Sequence, residues 1–595
     1  MRRSLCNPIR TILVLVVVFC ILAGANKPVQ AADCVWEGDT SPDWFTIANW
    51  SCGHVPIAED GVSISSGTPN QPTIGQTQSV TVNALTIGTG ANLTILNGSA
   101  VNAATWTVDG TVTANTAESL IYINIFTPDG DVNVGSTGSI TKLGTGDLFI
   151  YSTFNNAGTV SSVESGTYDG GVVLIRGGNH TGIFQGEYLF VGNNDVVGQV
   201  FNFNSGSQIR INQLHARGGT VNLFGSISQP ESLGTYLFVQ PSNGTCVVYF
   251  RTGLGILKMP ETTFIEYGGK LILEAQSYDY SMQKINLEYN GELQNNDDLT
   301  ITTQFNWKAG KITGNGTTTV DSFAAFTMGT SVYAANDFTL DGQTLINSAT
   351  ANWNKRDLTL TNSAEFVNNG TFNANATTTM TGVTGQSFVN NGNYLKKTAG
   401  TTTIMNIPFV NENTVDVVAG TLIFQQGMDN GEDAVIDLGG GTLNPGETLN
   451  LASGDSLIGS GTLAANLVNA GTVSPGSSPG IITVDGDYTQ GVDGILEIEL
   501  GGTTEGTGYD QLVVTGAATL QGTLNVTLLP GFTPQEGDTF FIIDYSSGTG
   551  TFDTVNLPDL PGGLSLEADF LVDGVTLTVV SASADTFIFL PLILR

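Results

Sequence analysis

The sequence predicts an all-β protein: a right-handed parallel β-helix, or solenoid, with an N-terminal Trp/disulfide cap and a C-terminal β-rich cap. Three observations carry this. A short segment recurs as Phe366-Val367-Asn368-Asn369-Gly370-Thr371-Phe372, then from Phe388 and from Phe409, with starts 22 and 21 residues apart. Looser copies begin at Phe154 and Leu467. A fixed period of this size built from short β-runs is the mark of a solenoid. The runs between corners alternate apolar and polar residues, as in Ala84-Leu85-Thr86-Ile87 and Asn92-Leu93-Thr94-Ile95, which suits half-buried strands. No segment keeps a helical period over three turns.

In chain order, residues 1–31 read as a signal peptide. Arg2, Arg3 and Arg10 precede an apolar stretch from Thr11 to Gly24, and Val29-Gln30-Ala31 fits a small-x-small cleavage site. The stretch is short for a membrane span, so no transmembrane segment is expected in the mature chain. Residues 32–74 hold Trp36, Trp44 and Trp50 with Cys34 and Cys52. The open first coil of a solenoid templates aggregation unless covered. Aromatic bulk and a Cys34–Cys52 bridge suit such a cap, with a sugar-stacking platform as the alternative for the three Trp. Residues 75–460 are the repeats proper, roughly 18 coils at about 4.8 Å each. Residues 461–582 carry longer strands such as Ile495–Leu500 and read as terminal coils passing into a sandwich-like cap. Residues 583–595 form a small spacer and an apolar tail.

Asn and Gly sit at the corners because both tolerate unusual backbone angles. Asn at equivalent corners can bond one another's amides, so Asn156, Asn369, Asn391, Asn411 and Asn469 are read as a structural ladder.

The 595 residues include 19 basic and 53 acidic ones, a net charge of −34. Loss of residues 1–31 removes four bases and no acid, leaving −38. Such a surface repels nucleic acid, which is excluded as a partner. No cofactor is expected; the acidic, Gly-rich loops make Ca²⁺ the one ion to consider.

The chemistry-bearing residues are few. His54, His180 and His215 have no metal-ligand spacing, and no nucleophile elbow or phosphate loop is present. Cys246 lies in an apolar run and reads as a buried free thiol. A lyase acting on acidic sugars needs clustered cations; Arg210 and Arg217 are the weak carbohydrate candidates, beside Arg176 and Arg251.

The segments Gly471–Gly480, Gly486-Asp487-Tyr488, Tyr509-Asp510-Gln511-Leu512 and Gly522-Thr523-Leu524 resemble the C-terminal passenger region of bacterial autotransporter-type β-helix proteins. Lys142-Leu143-Gly144-Thr145-Gly146-Asp147-Leu148 resembles their associated repeat, with Asp147 where Thr is usual. The Trp-rich start resembles that of large exported bacterial repeat proteins, and the Leu590-Pro591-Leu592 tail resembles endings of some secreted proteins. The resemblance implies export and a β-helix. It does not extend to the membrane β-barrel of true autotransporters, since the chain ends at Arg595 without a segment of that length. The expectation is a non-catalytic structural or adhesive protein, secreted or at the bacterial cell surface. Its partner would be a cell-surface or extracellular polysaccharide or protein. The alternative is a carbohydrate-active enzyme, lyase or glycosidase, or a carbohydrate-binding β-helix.

Overall fold

The computed structural model describes residues 31–581 apart from 116–122, 127–129, 164–169, 193–197, 225–235, 242–244, 252–258, 276–278, 330–336, 383–384 and 477–478. The expected signal peptide up to residue 30 and the spacer and tail over 583–595 lie outside the described residues. Within them the chain is a parallel β-solenoid, with a single 3-10 turn at Ile47–Asn49 as its helical content.

Each turn contributes short strands to three columns. In one turn these are Leu358–Thr361, Glu365–Asn368 and Thr371–Ala374, and the next turn stacks in register through Phe366–Phe388 and Phe372–Tyr394. The first column runs unbroken by parallel partners from Asp33–Val35 to Ile543. At ~4.8 Å per step, roughly two dozen rungs make a rod on the order of 100 Å long.

The alternation read from sequence sets the faces. Strands show the pattern of one partly exposed residue, then one buried. Inward residues stack on their equivalents: Val62, Leu85, Trp106, Val132 and Phe154 follow one another in the first column, all buried. In the second, Phe366, Phe388 and Phe409 stack with centroids 5.0 and 5.2 Å apart. Burying each such ring contributes about 2–3 kcal/mol.

The ends are closed differently. Trp36, Trp44 and Trp50 are buried, with Trp50 edge-on to the other two at 4.8 and 4.7 Å. Their faces are consumed in the cap, so the sugar-platform alternative is overturned. The Cys34–Cys52 disulfide spans a Cα separation of 5.0 Å and ties the first strand to the cap loop. At the other end the columns cross residue 460 without a break, and parallel pairing continues to Thr554–Asn556. The solenoid thus continues past 460 with strands of 3 and 4 residues, and they lengthen only from Ile495. Leu564–Phe570 and Gly574–Ser581 pair antiparallel, and the latter pairs antiparallel with Thr539–Asp544. They extend the same sheet instead of building a separate sandwich.

Candidate functional site

The corner asparagines are braces. Asn156 accepts from the Gly158 N–H and donates to the Ile183 carbonyl one turn on; Asn469 does the same with Gly471 and Ile495. The continuous buried ladder is Asn347, Asn368, Asn390 and Asn411, each Nδ2 donating to the next Oδ1 at 2.8, 2.8 and 3.0 Å. Asn411 ends it, its own Nδ2 buried without a partner. Asn369 and Asn391 belong elsewhere: both are exposed, and Asn391 donates to Asn369 at 2.8 Å on the outside. The ladder reading was therefore one residue out at these two turns.

A second asparagine row faces outward in the first column. Asn133, Asn155, Asn179, Asn202 and Asn222 are register partners on successive turns. Asn155 donates to Asn133 at 2.9 Å, Asn202 to Asn179 at 2.9 Å and Asn222 to Asn202 at 2.7 Å. The Asn179 backbone N–H bonds Asn155 Oδ1 at 3.1 Å. Arg251 closes the row, its Nε on Asn222 at 2.7 Å, its Nη1 on Glu274 at 2.8 Å and its guanidinium over Tyr249 at 4.3 Å. An open groove of about 490 Å³ follows the N-terminal half of the row, with Thr107, Asp109, Asn133, Gly135, Asn155 and Asn179 among its walls. The sequence held this signal as Asn at spacings of 22, 24, 23 and 20, hidden among many isolated Asn that mark turns.

The third column carries an outward aromatic row. Phe190, His215, Phe238 and Phe264 are successive partners. His215 lies 4.3 Å from Phe238, and Phe238 4.8 Å from Phe264, with planes 7° and 4° apart. Those spacings are close to the ~4.8 Å rise between strands, so the ring normals lie along the rod. From His215 to Phe264 neighbouring rings cover one another's faces, while Phe190 is tilted 35° from His215 and has the Arg217 guanidinium 4.0 Å over its ring. A pile of plates is a stiffening device, since sugars stack on faces. Burial, then the charge of Arg217, pushes His215 down to about 3, so it is neutral at physiological pH.

The corner after this column carries Glu266, Glu288 and Lys308 on successive turns. Gln240 donates to Glu266 at 2.9 Å, and Lys308 pairs with Glu288. Burial, reinforced by Glu288, pushes Glu266 up to about 7 against the opposing pull of Lys308. A carboxyl poised near neutrality is what general acid catalysis uses.

Arg210 and Arg217 are not brought together. Arg210 extends from Gln208–Ile211, partnered by Gln185 and bonded to Gln208, whereas Arg217 follows Ala216 at the next corner and lies over Phe190 at 4.0 Å. His180 is fully buried among Phe154, Phe184 and Phe203. Cys246 is a buried free thiol, pushed up to about 12 by burial, and is no nucleophile at neutral pH. Among the described residues, one group of possible metal donors lies close enough to share an ion: Cys34, Cys52 and His54. Its two sulfurs are joined in the disulfide, so no ligand set for Ca²⁺ arises there.

No curated protein matches the chain. Residues 35–172 match a family described as a domain of unknown function (DUF8693), a similarity that spans the Trp cap and the first turns, Asn133 and Asn155 included.

Proposed function

We propose that this chain is an exported structural or adhesive rod that works through its outer surface and not through a catalytic centre. The observation that supports the reading most is the unbroken first column from Asp33 to Ile543, one continuous hydrogen-bonded object with both ends closed. A solenoid extends its surface linearly with each turn, and a surface on the order of 100 Å long suits attachment and spacing. The acidic net charge of −38 on the mature chain keeps such rods apart in solution. Two measurements test this. Expression of the full chain in a bacterial host should yield an exported product beginning at Ala32. Small-angle scattering of residues 32–582 should give a rod on the order of 100 Å. A cytoplasmic product with its first 31 residues intact, or a compact sphere, overturns the proposal.

One observation favours a second reading, a carbohydrate-active enzyme: Glu266, raised to about 7 beside Glu288. Incubation with a panel of polysaccharides should then release new reducing ends or unsaturated products, and Glu266→Gln should abolish the release. Product formation that survives Glu266→Gln removes this pair from consideration.

A further inference from the structure

We propose that the outward row Asn133, Asn155 and Asn179, with its groove, is a docking track for an extended, neutral polysaccharide laid parallel to the rod axis. The inference rests on the adhesive-rod reading and names its ligand class.

The fold does not require this row. Later turns of the same column put Tyr249, Ile272, Gln294 and Thr313 at the equivalent outward positions and stack equally well. The buried ladder around Asn390 satisfies groups that water cannot reach. Asn133 and Asn179, by contrast, are exposed, where a hydrogen bond contributes little to stability.

The row is built for recognition by its order. A primary amide has two donor hydrogens and two acceptor lone pairs. The bonds along the row use part of that capacity and fix the orientation of the amides. What remains is an acceptor-and-donor array repeating at ~4.8 Å along the rod. A polymer presenting hydroxyl groups at a similar step meets the same partners on every turn, and the sites are already oriented before it arrives. Gly135 in the groove wall lets the Asp109 carboxylate lie against it, since an added Cβ would stand 2.0 Å from Asp109 Oδ1.

Charge selects the ligand. Among the described residues Asp109 is the one ionisable group lining the groove, Asp131 lies beside it with Oδ2 3.4 Å from Asn155 Nδ2, and Arg251 at the far end is neutralised by Glu274. With a net charge of −38 on the mature chain behind it, the track repels uronates, sulfated chains and phosphodiesters.

The test uses the mature chain and cellohexaose in isothermal titration, with polygalacturonate and maltohexaose as the acidic and the coiled comparators. Cellohexaose should bind at least tenfold more tightly than either comparator and than cellotriose. The triple variant Asn133→Ala/Asn155→Ala/Asn179→Ala should lose at least tenfold, while Asn369→Ala/Asn391→Ala, an exposed pair further along the rod, should bind as the parent does. If the triple variant fails to fold, Asn155→Gln keeps the amide but shifts it and should still lose binding. No binding of cellohexaose by the parent, equal binding by the triple variant, or preference for polygalacturonate overturns the proposal. Rod length and export are measured without sugar, so failure here leaves the rod reading standing.

Discussion

Asn390 and Asn391 are adjacent, chemically identical and on opposite sides of the wall, which makes them a matched test of what holds the turns together. The Asn390 side chain makes three bonds: to Asn411 Oδ1 at 3.0 Å, to the Thr414 carbonyl at 2.9 Å, and from Asn368 Nδ2 at 2.8 Å. Each is worth about 1 kcal/mol net, and groups left buried without partners add about 1 more. Asn390→Ala should therefore cost roughly 3–5 kcal/mol. Asn391→Ala loses one exposed bond to Asn369 and should cost less than about 0.5 kcal/mol. A long repeat array need not unfold in one step, so chemical denaturation should be paired with hydrogen exchange. Exchange should accelerate over residues 365–417 in Asn390→Ala and stay unchanged near Cys34. Equal losses in the two variants, or a cost below about 1 kcal/mol for Asn390→Ala, would refute the brace.

Other perturbations have equally definite outcomes. Cys34→Ala/Cys52→Ala should lower stability of the first turns by about 3 kcal/mol, from a loop of sequence separation 18, read as earlier melting and faster exchange near Trp36. Burial holds His180 down at about 3, so between its ordinary value and about pH 3 the unfolded chain binds a proton that the folded chain does not. His180 alone should lower stability with acid across that window by up to about 1.4 kcal/mol per pH unit, and His180→Phe should remove that share in pH-resolved melting while the similar share of His215 remains. Gly178 has φ +145°, and a Cβ there would lie 1.8 Å from the Phe154 carbonyl oxygen; Gly178→Ala should cost about 2 kcal/mol or more and loosen that rung in exchange measurements.

The period, the corner chemistry and the disulfide pair were legible in the chain because each leaves a local mark. The choice between neighbouring asparagines was harder, since a one-residue step reverses the face. Counting alternation from the buried Phe366 gives Val367 outward, Asn368 inward and Asn369 outward, and likewise Phe388 gives Asn390 inward. In Asn-Asn-Gly the pleat, and not nearness to the turn, decides which asparagine faces inward. The outward Asn and aromatic rows were harder still. Their members sit 20 to 24 residues apart and join only after every intervening corner has been assigned a length. Arg210 and Arg217 show the opposite case: near in sequence, they are separated by a corner, Arg210 in the second column and Arg217 just past the end of the third.

The bonds between rungs run along the long axis, and this has a mechanical meaning. Tension applied between the two ends loads the short strands of one turn together, and the weakest interface yields first. A turn that lets go frees about 22 residues, as between Phe366 and Phe388. That is roughly 70 Å of slack in place of ~4.8 Å of folded rise. As a tether the molecule would give way in discrete steps and dissipate work at each one, staying attached throughout. Single-molecule pulling should show a sawtooth with that step, and one cooperative rupture would rule the behaviour out.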